Sequence, residues 1–142
     1  MSAALGRPKQ ARAPSAGSAP REAGSVGALV LPEVNFSEWG EVRYLHLGTE
    51  WVQGSMLIDA PFDIELDYVQ RMEAWLLFVD PDSVGKRHAM QLGLGAAALT
   101  KFSFKKLRMK TTAIELNPQV LAVCRRWFKL PPDSARLQVR LA

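Results

Sequence analysis

The chain has 142 residues, with 18 Lys and Arg against 14 Asp and Glu, one cysteine, and apolar residues making up nearly half. That length allows one ordinary domain or a portion of a larger one. No apolar run reaches membrane-spanning length, and a single cysteine excludes an internal disulfide and fits a reducing, cytoplasmic setting.

Residues 1–34 are rich in Ala, Gly, Pro, Ser and Arg without apolar periodicity. Such a composition buries too little surface to offset its ordering entropy, so a disordered tail is expected there. Residues 35–62 read as a small β domain. Val42 to Leu47 alternates in part, glycines 48 and 54 mark turns, and Met56 to Ile58 ends against Asp59-Ala60-Pro61. Residues 63–82 read as a linking helix running to Phe78, with Leu66, Val69, Met72, Leu76 and Val79 near helical spacing and Pro81 beyond.

From residue 83 the pattern changes to strand and helix in alternation. A buried strand is expected over 87–92, a helix over 96–107, a strand over 111–115, a helix over 118–128 and a further strand from 136. Asn117 suits the N-cap and Pro118 the first turn of the second of these helices. This order is the opening of a doubly wound, Rossmann-like α/β sheet, so residues 83–142 are read as an incomplete domain of that class. The sheet would keep an uncovered apolar edge unless something completes it.

The chemistry concentrates at Gly93-Leu94-Gly95 and Glu115-Leu116. Glycines at the end of a strand let the backbone turn sharply and approach a ligand closely. An acid ending the next strand can accept hydrogen bonds from two ribose hydroxyls. Together they describe a nucleoside-type pocket at the carboxyl edge of a parallel sheet; a turn without any ligand is the bland alternative.

Several other residues have readings of their own. Asp59, Asp63, Glu65 and Asp67 are candidate acids, although helix N-termini favour acids for dipole reasons alone. His46 and His88 stand apart with no ligating partners, so no metal is expected. Cys124 reads as a packed thiol on an apolar helix face. Trp39, Trp51, Trp75 and Trp127 read as core or interface residues rather than a base-stacking platform, and the basic residues 101–110 as a solvated surface rather than a nucleic-acid site.

The run from Gly40 to Ala142 resembles the polyamine aminopropyltransferases, the spermidine synthase family and its relatives. The resemblance is carried by Tyr44 to Asp59, Tyr68-Val-Gln-Arg-Met72, Gln91-Leu-Gly-Leu-Gly95 and Ile114-Glu-Leu-Asn-Pro118. It covers a small β domain, a linking helix and the first half of the S-adenosyl domain. It implies transfer of an aminopropyl group from decarboxylated S-adenosylmethionine to an amine such as putrescine, in a homo-oligomer; that no metal, nucleic acid or membrane takes part is expected from the residues themselves. Gly93, Leu94, Gly95, Glu115, Leu116 and Gln70 would then contact the cofactor, and Tyr68 would line the amine site.

The sequence departs from the family at motif I, commonly G-G-G-D-G-G and here Gly93-Leu-Gly-Ala-Ala-Ala98. The acid that would face the cationic aminopropyl end is Ala96. The family's catalytic aspartate is expected beyond Ala142, so no catalytic residue is assigned and this chain is expected to be an inactive portion of an enzyme. Two alternatives stay open: an S-adenosylmethionine-dependent methyltransferase, and a non-catalytic fragment or assembly module.

Overall fold

A computed structural model of the chain describes residues 30–142. The tail expected over 1–34 lies outside the described residues except for its last few.

Two three-stranded sheets make up the framework. The first is an antiparallel meander of β1 (Val34–Trp39), β2 (Val42–Leu47) and β3 (Val52–Leu57). Gly40 and Gly48, both at positive φ, turn the chain between its strands. The second sheet is parallel, in the order β4 (His88–Leu92), β5 (Lys110–Glu115), β6 (Leu137–Leu141). Helix α3 (Ala98–Lys105) connects β4 to β5, and α4 (Pro118–Trp127) connects β5 to β6. The Asn117 side chain accepts from the Gln119 amide and caps α4, with Pro118 at its first position, as the sequence suggests.

The linking segment differs from expectation. In place of one helix, the chain forms α1 (Asp67–Met72), a 3₁₀ stretch over Glu73–Phe78 and a four-residue helix α2 (Pro81–Val84). At the 3₁₀ stretch the residues read for helical spacing are Leu76 and Val79, three apart, and residues three apart share a face in either winding, so their spacing does not distinguish the two. The strand at 88–92 is not buried as expected: Met90 is 68% and Leu92 75% exposed. β4 is an edge strand, and among the described residues nothing covers that face. Trp39, at the end of β1, and Trp51, in the connection before β3, are also exposed rather than core residues.

One core joins the two sheets. Leu45 and Met56 from the small sheet lie in the same buried cluster as Leu94, Ala113, Val120, Cys124, Phe128 and Leu137. β3 comes close to the turn after β4 at Gly54, where a Cβ would lie 2.7 Å from the Ala96 Cβ and 2.8 Å from its backbone nitrogen. Only glycine allows β3 to sit that close. The small sheet therefore lies over the carboxyl end of β4, where parallel sheets bind their ligands.

Candidate functional site

The bend after β4 is built from left-handed backbone. Gly93 has φ +78°, Gly95 φ +53° and Ala97, just before α3, φ +60°. Side chains from three elements hold it. From β5, the buried Glu115 accepts the Leu94 amide on Oε2 at 2.7 Å, and on Oε1 the amides of Leu116 at 2.9 Å and Asn117 at 2.8 Å. From β4, the Gln91 amide donates to the Gly93 carbonyl at 2.7 Å, while its Oε1 accepts from the Thr100 hydroxyl at 2.6 Å. From α4, the Cys124 thiol donates to the Gly95 carbonyl at 3.1 Å. Burial pushes that thiol up to about 12, so it keeps its proton and remains a donor.

The side chain of Glu115 thus reaches the bend, the convergence that spacing alone suggested. The structure narrows its capacity. A carboxylate offers about four lone-pair positions. Three backbone amides occupy three of them, which leaves one on Oε2 for a ligand rather than the two that a pair of ribose hydroxyls would need.

A cavity of about 370 Å³ opens between the bend and the small sheet. Gly93, Leu94, Gly95, Ala96 and Glu115 line one side, Gln53, Gly54 and Ser55 another, and Ile64, Leu66, Tyr68 and Val69 a third. Of the seven residues singled out from sequence, five meet there: Gly93, Leu94, Gly95, Glu115 and Tyr68. Gln70 does not line the cavity; it is exposed and its amide turns back to the Ile64 carbonyl at 2.7 Å, closing the first turn of α1. Leu116 does not line it either; only its amide takes part, by bonding Glu115, and its side chain is exposed. A larger hollow of about 700 Å³ runs along β4, lined by Met72, Trp75, His88 and Met90 among others. It lacks the bend and Glu115, and so has none of the features that point to a nucleoside.

The acids before and at the start of α1 are mostly paired. Asp63 bonds Lys106 at 2.6 Å and Asp67 bonds Arg71 at 2.7 Å, both at the surface. Glu65 differs, because it accepts the hydroxyl of the buried Ser55 at 2.5 Å. Tyr44, opposite Ser55 across the strand pair, has its phenol pushed up by burial and then by the charge of Glu65, so it stays neutral. His46 bonds Ser37 and the Trp51 carbonyl, and His88 bonds Thr112. Among the described residues no group of three metal-ligating side chains forms, and no helix is long and apolar enough to cross a membrane. The sequence reading missed Gln91, Thr100 and the Ser55–Glu65 pair as parts of this site. Gln91 and Thr100 meet between β4 and α3, and Ser55 and Glu65 between β3 and the segment before α1, contacts that no local pattern encodes.

No family model matches the chain. The chain is 38% identical over 110 residues to a polyamine aminopropyltransferase of Neisseria meningitidis, covering 77% of this chain and 41% of that protein. It is 40% identical over 105 residues to the polyamine aminopropyltransferase of Chromobacterium violaceum, covering 73% and 39%. The chain thus spans about two fifths of the length of the curated relatives it matches. Among solved structures, a probable spermidine synthase of Corynebacterium glutamicum superposes with a TM-score of 0.61 at 15% identity, covering 77% of this chain and 40% of that one, a likeness of fold. Human methyltransferase-like protein 13 in complex with SAH superposes with a TM-score of 0.50 at 26% identity, covering 55% and 36%.

Proposed function

From its homology to the polyamine aminopropyltransferases along some three quarters of its length, we propose that this chain forms the S-adenosyl site of a spermidine synthase-like enzyme. The enzyme transfers an aminopropyl group from decarboxylated S-adenosylmethionine to an amine of the putrescine type. The observation that carries this reading is the 2.7 Å bond from the Leu94 amide to Glu115 at the wall of the 370 Å³ cavity. It joins the bend and the acid at one ligand-sized space, with one carboxylate position left to take a sugar hydroxyl.

In this reading the nucleoside lies between Gly93–Gly95 and the small sheet, and Tyr68 borders the amine. The reaction is a displacement at the carbon next to the sulfonium by a neutral amine, with the thioether leaving. The chain's part is to orient the sulfonium and to exclude water, which the cover of β3 over the bend provides. No residue of this chain is assigned as the proton acceptor. A homo-oligomer in the cytoplasm remains the expectation from the resemblance.

Methyl transfer from S-adenosylmethionine is the second reading. The observation that favours it is Ala96, buried against Gly54 where motif I carries an acid in the family. Incubating a full-length protein that contains this chain with putrescine and each cofactor in turn, with products followed by mass spectrometry, separates the two. Spermidine formed from the decarboxylated cofactor supports aminopropyl transfer. A methylated amine formed from S-adenosylmethionine, with no spermidine from the other, overturns it.

A further inference from the structure

Ala96 leaves the bend without an acid, so a cationic ligand would need its negative partner elsewhere. Ser55 lines the cavity and is only 3% exposed; it follows Gly54 on β3, so its side chain leaves the strand on the face opposite the one that meets Ala96. Its hydroxyl donates to Glu65 Oε2 at 2.5 Å, the length of a charge-assisted bond to a carboxylate. A serine has one hydroxyl proton. With that proton committed to Glu65, Ser55 can only accept from a ligand, and the carboxylate behind it makes the oxygen a stronger acceptor. The rest of the lining agrees in charge. Among its residues there is no Lys, Arg or His, and its one acid, Glu115, is already held by three amides.

We propose that Ser55, backed by Glu65, is the subsite for a primary alkylammonium group in this cavity, at a different wall from the one where Ala96 stands without an acid. The proposal rests on the S-adenosyl reading above. The ammonium can come from the side arm of the cofactor or from a separate diamine, and both present the same donor chemistry. In this arrangement Ser55 meets the ligand, and Glu65 acts through Ser55 as a positioning residue.

Calorimetry on the full chain tests this with three probes: 5′-methylthioadenosine alone, decarboxylated S-adenosylmethionine, and putrescine added to the protein saturated with 5′-methylthioadenosine. The expected result for the wild type is at least tenfold tighter binding of one ammonium-bearing probe than Ser55→Ala or Glu65→Gln shows for it. Both variants bind 5′-methylthioadenosine within about twofold of wild type, and Ser55→Thr, which keeps the hydroxyl, restores the preference. If the cofactor responds, the ammonium is its own side arm; if putrescine responds, it is the acceptor's. Loss of all three probes in parallel with a lowered melting temperature would show a purely structural role and overturn the proposal. Binding of the ammonium probes that neither variant changes would overturn it while leaving the S-adenosyl reading intact. Failure of the wild type to bind any nucleoside would overturn both.

Discussion

Glu115 is the residue on which the candidate site turns, and its convergence on the bend was legible from an acid that ends the strand after a glycine turn. Its occupancy was not legible, since three of its partners are backbone amides that no side-chain pattern encodes. One free lone-pair position has a measurable result: of the 2′-deoxy and 3′-deoxy forms of 5′-methylthioadenosine, one should bind about tenfold more weakly than the parent and the other within twofold. Equal losses in titration calorimetry would mean that a ligand displaces one of the amides. Lys101 is a second residue whose state follows from the fold. It is fully buried, its ammonium donates to the Phe128 carbonyl at the end of α4 at 2.7 Å, and burial pulls it down to about 8. Below pH 8 the folded and unfolded chains both hold the proton. Between 8 and the ordinary lysine value of 10.5 only the unfolded chain does, so stability should rise with pH across that window. The gain is on the order of 3 kcal/mol at most. Urea denaturation at pH 7.5 and 10 should show it as a difference between wild type and Lys101→Met, because the other lysines titrate in both. An unchanged difference between the two proteins would show that Lys101 is not held in this way. In sequence Lys101 was one of a run of basic residues read as a solvated surface, and only its place behind α4 makes it an exception.

Among the elements, β3 matters most for the site, and a single glycine lets it get there. Gly54→Val would drive side-chain atoms into the Ala96 backbone nitrogen, which cannot rotate aside. The expected cost is about 1–3 kcal/mol in chemical denaturation, accompanied by loss of nucleoside binding as β3 moves off the bend. A variant with wild-type stability and affinity would show that the approach of β3 is not required. Strands and helices with their own punctuation were legible in part: Gly48 marked a turn of the meander and Asn117-Pro118 the start of α4, whereas Gly54, read as a turn, lies within β3 because it is the close approach to Ala96 that requires a glycine there. The linking segment was not. Its apolar residues repeat at an interval that suits two windings, and the choice between them depends on packing that the sequence does not display.

At the scale of the molecule, the succession of strand and helix from residue 88 onward gave the parallel order of the second sheet, because a short helical crossover returns a strand parallel to its predecessor. How the meander would sit on that sheet could not be read, since the contact passes through Leu45, Met56 and Gly54, residues whose local patterns mark only a strand. Because β5 is flanked on both sides, its amides should exchange with deuterium more slowly than those of β4, whose outer edge is unpaired among the described residues. Equal exchange from the two strands would mean that β4 acquires a neighbour in solution. The cavity has one wall in each sheet, so any molecule filling it behaves as a rivet through two plates. Saturation at a hundredfold excess over Kd adds about 2.7 kcal/mol, and the meander and the crossover sheet share that gain even though, among the described residues, no backbone hydrogen bond joins β3 to β4. The two layers would then come apart together when loaded, whichever of them yields first when empty.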